Sequence, residues 1–169
     1  MPHRVCVMGV SGAGKTVVGA LLAAALGVPF LDGDDLHPAE NVRRMAQGIP
    51  LTDDDRRDWL AAIASRLAQA RRTGSGLVIA CSALKHAYRD ILRRADAELR
   101  FVHLAGDRAL IAQRLSHRLG HYMPGTLLDS QLATLEAPTP DERAWTFDLA
   151  EQPESIVAQI VVRLERARA

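Results

Sequence analysis

Eight residues near the start of the chain, GVSGAGKT at 9–16, have the types and spacing to hold a polyphosphate. They fit the pattern G-x-x-x-x-G-K-[ST]. In that pattern Gly9, Val10, Ser11, Gly12, Ala13 and Gly14 form a curled loop whose backbone N–H groups point inward at anionic oxygen. Lys15 reaches the terminal phosphates, and Thr16 offers its hydroxyl to Mg²⁺. The ligand so described is a nucleoside triphosphate. The loop follows an apolar run and precedes VVGALLAAAL, the strand–loop–helix setting the mechanism requires. No guanine-reading N-K-x-D segment is visible, and the chain is short for a motor-type ATPase.

A second cluster follows. FLDGDDLHP, residues 30–38, places three carboxylates and a histidine within six residues. Such a group can bind a metal, take a proton or open a helix. Asp32 and Asp34 are two apart, so an extended chain points them the same way. Gly33 between them permits close approach of a ligand. One of these carboxylates can hold a hydrated Mg²⁺, and the other can accept a proton from an attacking hydroxyl. Asp35 reads as part of a helix start, with Pro38 in the first turn. For His37 two readings stay open: a hydrogen bonder at the helix start, or a substrate contact. A small domain with a phosphate loop and acids after its second strand suggests a small-molecule kinase.

The elements that must position these groups are legible as an alternation. Short apolar runs at 5–8, 29–31, 77–81, 101–104 and 146–149 read as strands buried on both faces. Between them lie amphipathic helical stretches. Trp59, Leu60, Ile63 and Leu67 share one face; Ile111, Leu115 and Leu119 another; Ile156, Val157, Ile160, Val161 and Leu164 a third. The alternation implies an α/β fold, with right-handed crossovers and a parallel sheet of about five strands covered on both faces. Ligands in such folds collect at the carboxyl ends of the strands. TDDDRRDW, from Thr52, reads first as a helix start, with Thr52 as N-cap and Asp55 at the third helical position.

Length and composition agree. The 169 residues suit one domain, and 48% hydrophobic residues can fill a core. A net charge of +1 gives no basic surplus for nucleic acid or an anionic membrane. Cys6 and Cys81 lie in apolar runs without metal-knuckle spacing, which suits buried thiols in a reducing compartment. No stretch is long enough to span a bilayer and no signal peptide is evident, so a soluble cytoplasmic protein is expected.

Four blocks taken together, GVSGAGKT, FLDGDDLHPAENVRRMAQGIPLTDDDRRDWL, CSALKHAYRDILR and GHYMPGTLLDSQLATLE, resemble the gluconokinase family of the thermoresistant type. The blocks run in order over nearly the whole chain. The resemblance implies ATP-dependent phosphorylation of D-gluconate at its 6-hydroxyl, which gives 6-phosphogluconate for the pentose phosphate or Entner–Doudoroff routes. It implies the three-layer αβα sandwich of shikimate and nucleoside monophosphate kinases, with strand order 2-3-1-4-5, and commonly a homodimer. Departures are small: Arg44 stands where lysine is frequent, Thr52 for asparagine and Leu132 for an aromatic.

Gluconate needs hydrogen-bonding groups for its hydroxyls and a cation for its carboxylate. Arg44, Arg56, Lys85 and Arg89 are the candidates, beside Asp34 and His37. Lys85 and Arg89 are four apart and can share a helical face. CSALK carries Ser82 where many phosphate-loop proteins place a metal-binding acid, which points to Asp32, with Thr16, for that task and leaves Asp34 to orient the attacking hydroxyl and take its proton. RLSHRLGHYMPGT reads as a lid at about 117–126, with Arg114 and Arg118 placed to meet adenine and phosphates on closure. Pro153, before the last helix, is expected to cover the other face of the adenine ring.

Overall fold

The five apolar runs form the strands β1 (Arg4–Met8), β2 (Phe30–Asp32), β3 (Leu77–Ala80), β4 (Arg100–Ala105) and β5 (Ala144–Asp148) of a computed structural model, which describes residues 2–117 and 125–169. Every neighbouring pair is parallel. The order β2-β3-β1-β4-β5 is the one expected. The central strands β1 and β3 are buried throughout, which is why they read as continuous apolar runs. The expected second strand is displaced by one residue, and the shift matters. It carries Asp32 into register with Ala80 as the last residue of β2, at the sheet's carboxyl edge.

The helices are α1 (Lys15–Leu26), α2 (Ala39–Ala46), α3 (Asp53–Arg72), α4 (His86–Ala95), α5 (Arg108–Ser116), α6 (Gly125–Thr134) and α7 (Pro153–Arg168). Helix α1 packs on α7 and α3 on α4, one pair to each face of the sheet. Trp59, Leu60, Ile63 and Leu67 form the buried face of α3, as their spacing requires. Thr52 caps that helix: its Oγ1 accepts from the Asp55 N–H at 3.1 Å, and Asp55 Oδ2 accepts from the Thr52 N–H at 2.9 Å. Among the described residues no helix is long and apolar enough to cross a membrane.

One feature of the core lies beyond any local pattern. Arg89 of α4 is fully buried, and Glu142, in the 3₁₀ turn before β5, is 1% exposed. Arg89 Nε donates to Glu142 Oε1 at 2.7 Å and its Nη2 to Oε2 at 3.1 Å. Nη1 donates to the Ala83 and Leu84 carbonyls at 2.7 and 3.2 Å, and Nη2 also to that of Glu136 at 2.9 Å. Burial by itself would raise the Glu142 pKa. Hydrogen bonds from Arg89, Arg93 and the Thr139 N–H outweigh it and hold this carboxyl well below the usual carboxylate range.

Glu142→Gln leaves a buried guanidinium without its countercharge, and breaking such a pair costs about 3–5 kcal/mol. A folded-state pKa below the unfolded one makes the Glu142 contribution complete above about pH 5 and progressively lost on acidification. We therefore expect a lower urea midpoint for Glu142→Gln at pH 7, and a shallower loss of stability than in the wild type below about pH 5. Equal midpoints at pH 7 would refute the assignment.

Candidate active site

At the carboxyl edge of the sheet the loop after β1 takes the curled form its sequence demands. Gly14 has φ of 97° and Gly12 of 84°, left-handed values that suit glycine alone without strain. A Cβ on Gly12 would also stand 2.7 Å from Leu115 of α5. Gly14 is the N-cap of α1, so the first N–H groups of that helix have no acceptor within it and face the loop. Lys15 Nζ donates to the Val10 carbonyl at 3.0 Å, which holds the ammonium over the cradle. The Gly9 N–H donates to the Ser82 carbonyl at 3.3 Å, so the turn after β3 lies directly beside the loop.

The acidic segment meets this loop. Thr16 Oγ1 donates to Asp32 Oδ2 at 3.2 Å. The other carboxylate oxygen, Oδ1, accepts from the Asp34 N–H at 3.0 Å. Strand alternation is not what brings the two acids together, contrary to the sequence expectation. Beyond Asp32 the chain winds into a 3₁₀ turn, Gly33–Leu36, capped by Asp32 itself. Gly33 makes the turn possible because a Cβ there would lie 2.5 Å from the Ala80 carbonyl. Asp35 falls inside this turn, and α2 starts after Pro38, which occupies its N-cap.

Trp59 holds the turn from below. Its Nε1 donates to the Gly33 carbonyl at 2.7 Å, and its ring stacks on His37 with centroids 4.2 Å apart and planes 11° apart. Burial chiefly, and then the Arg56 charge, lower the His37 pKa to about 4, so the ring is neutral at neutral pH. Asn41 Nδ2 stands 3.3 Å from His37 Nδ1 and donates to the Asp55 carbonyl at 2.7 Å. An amide donor there makes Nδ1 the acceptor and leaves the proton on Nε2, where it can serve a hydroxyl.

The four candidate cations divide. Arg56 Nη1 donates to the Tyr88 hydroxyl at 3.0 Å, and Lys85 Nζ to Asp53 Oδ1 at 2.9 Å. Arg44 bridges Glu40 and Asp55, each at 3.4 Å, and so ties α2 to α3. Arg89 is a correction: with no exposed surface and its donors committed to Glu142 and three carbonyls, it builds the core and does not face a substrate. It shares no exposed face with Lys85, which is the N-cap of α4 and turns towards α3.

On the far side of the loop, Arg114 Nη2 donates to the Leu149 carbonyl at 2.6 Å. Its Nη1 lies 3.9 Å from where a Gly14 Cβ would stand. Pro153, half-buried, begins α7 a few residues on, so Arg114 spans the phosphate loop and the β5–α7 turn. Arg118 and most of the expected lid lie outside the described residues. Helix α6, which follows that segment, places Gln131 Oε1 2.8 Å from the Ser11 N–H, as its acceptor.

Sequence reasoning misses Tyr88, Asp53, Trp59 and Gln131 as members of this site. For Trp59 a signal exists: an indole on a buried helix face needs an acceptor for its N–H. For the others the partners are 32 or more residues distant and no local pattern reports them.

Comparison with known proteins agrees with this geometry. The family model for shikimate kinase matches residues 11–165. A gluconokinase of Gluconobacter oxydans is 45% identical, covering 95% of this chain and 90% of its own. The thermoresistant gluconokinase of Escherichia coli is 40% identical, covering 98% and 95%. The crystal structure of a gluconokinase from Sinorhizobium meliloti superposes with a TM-score of 0.88 at 48% identity, over 98% of this chain and 93% of that one. A phosphate loop whose threonine meets the acid of the second strand, in a chain so close to these kinases over nearly its full length, belongs to the gluconokinase family of ATP-dependent phosphotransferases.

Proposed function

We propose that this chain transfers the γ-phosphate of ATP to the 6-hydroxyl of D-gluconate. The observation that carries the reading is the joining of two half-sites. The 3.2 Å contact of Thr16 with Asp32 sets the turn bearing Asp34 directly against the phosphate cradle. Residues 9–16 hold the polyphosphate, with Lys15 over its terminal end. Asp34 receives the attacking hydroxyl and takes its proton. His37 Nε2 and the cations Arg56 and Lys85 hold the rest of the acceptor, with Arg44 behind them. Arg114 and Pro153 flank the adenine, joined by Arg118 when a lid at about 117–126 closes and excludes water.

Oxygen donors suit Mg²⁺ here. The Thr16 hydroxyl and Asp32 carboxylate converge beside the loop, and Mg²⁺ takes few protein ligands, the rest being phosphate and water. Among the described residues no group of three metal-binding side chains is found. Bound beside Thr16 and Asp32, the ion would offset charge on the transferred group. We further infer a homodimer, and a cytoplasmic setting that suits the buried free thiols of Cys6 and Cys81.

A panel of sugar acids and shikimate, offered with ATP in an ADP-release assay, tests the substrate. D-Gluconate should give the fastest turnover, with the phosphate on O6 by phosphorus NMR. ADP release that ignores the acceptor would mark a nucleotide-driven switch instead, and preference for shikimate would move the chain to another specificity.

A further inference from the structure

The starts of α3 and α4 together form one wall of the site, and its charges do not balance. Asp53, the first residue of α3, accepts at a single oxygen, Oδ1, from Lys85 Nζ at 2.9 Å and from the Tyr88 hydroxyl. That hydroxyl accepts in turn from Arg56 Nη1 at 3.0 Å. The Arg56 guanidinium and the Lys85 ammonium stand 5.5 and 5.7 Å from the centre of the Tyr88 ring. Lys85 thus pairs with Asp53 directly, whereas Arg56 reaches that carboxylate only through the Tyr88 hydroxyl and, among the described residues, makes no ion pair. The phenol is buried and fixed, whereas the Asp53 side chain is 66% exposed.

As an acid in the first turn Asp53 suits the dipole of α3, but the cap of that helix does not need it. Thr52 and Asp55 already complete the cap of α3. We infer that Asp53 is an internal competitor for the carboxylate of the substrate, held on Lys85 and Tyr88 until an incoming carboxylate displaces it. The inference rests on the gluconokinase reading for the identity of the acceptor. Its chemistry is general: a sugar acid brings the same group as Asp53 and gains Arg56 as well. An uncharged polyol offers only neutral hydroxyl oxygens, which are weaker partners for these cations than a carboxylate is. The competitor thus sets a threshold that only an anion crosses, and it does so by taxing affinity in proportion to the time it occupies the cations. The hydrogen bonds from Tyr88 and then Lys85 also lower the Asp53 pKa, so the competitor stays ionised at neutral pH.

The test is Asp53→Asn, with Asp53→Ser as a second variant that keeps a good helix-start residue. Calorimetry measures the binding of D-gluconate and of its uncharged counterpart D-glucitol, and kinetics measures KM and kcat. Gluconate should bind about three- to fivefold more tightly in both variants, the scale of one exposed ion pair. KM should fall in parallel, kcat should change less, and glucitol binding should stay as it was. In a Lys85→Met background the same Asp53 substitution should tighten gluconate less, because only the Tyr88 contact is left to compete for.

Unchanged or weaker gluconate binding in a variant that melts like the wild type would overturn the inference, because it would mean that Asp53 merely orders Lys85 and Tyr88. Equal tightening of glucitol would overturn it too. The two readings separate cleanly. A wild type that turns over gluconate, with variants that bind it no better, defeats only the competitor. A wild type that does not phosphorylate gluconate, with variants that bind it more tightly, defeats only the proposed reaction.

Discussion

Turnover by Lys15→Ala falls by about 10²–10³-fold while the fold survives. The rate term is electrostatic, since the ammonium acts where negative charge develops on the transferred group in a site prepared for it. Structure argues for survival of the fold. Lys15 opens α1, where alanine is an excellent helix former, and its hydrogen bond to the Val10 carbonyl at 3.0 Å stays within the same loop. The check is steady-state turnover at saturating ATP and gluconate, beside a thermal melt. Near-normal turnover in a folded Lys15→Ala protein would count against residues 9–16 as the phosphate cradle.

Asp34→Asn should separate chemistry from binding. Asparagine keeps the size and one acceptor oxygen but takes no proton at neutral pH. The contact that fixes the turn, from the Asp34 N–H to Asp32 Oδ1 at 3.0 Å, belongs to the backbone and outlasts the substitution. If Asp34 is the base, kcat falls by roughly 10²–10⁴. Gluconate affinity changes much less, and ATP affinity hardly moves because Thr16 and Asp32 remain. Phosphoryl transfer has a loose transition state, so a well-aimed hydroxyl needs limited help from a base. A loss of tenfold or less, with chemistry rate-limiting, means that Asp34 aims the hydroxyl and does little more.

The phosphate loop with Lys15 and the acidic cluster with Asp34 stand out in the sequence because their patterns are local. A phosphate loop is eight consecutive residues, and the cap of α3 needs only Thr52 and Asp55, three apart. The sheet is legible for the same reason: each strand buried on both faces announces itself as a run. What sequence does not supply is the meeting of distant polar groups. Arg89 reads as a substrate-facing cation because arginines usually lie at the surface, and only its pairing with Glu142, 53 residues on, explains its burial. Lys85 reads as sharing its face, yet it caps α4 and turns to Asp53. The acids of the second strand stand out as a cluster, but the 3₁₀ turn that aims Asp34 depends on how closely Gly33 approaches Ala80.

The tryptophan beneath that turn gives the molecule an optical probe of its own. The chain has two tryptophans, and they sit in unlike surroundings. Trp145 lies on β5 beneath the guanidinium of Arg100, 4.3 Å from its ring centre, on the last strand of the sheet. Trp59 is 1% exposed, stacked on an imidazole and hydrogen-bonded to the glycine between the two acids. Replacing Trp145 with phenylalanine leaves a single indole emitter, one hydrogen bond from the backbone that carries Asp32 and Asp34. Its emission then reports the local field at Gly33, and its quenching the charge on His37. If the acceptor binds at this turn as proposed, its arrival should change that emission, with no attached dye, through the atoms that hold the turn in place.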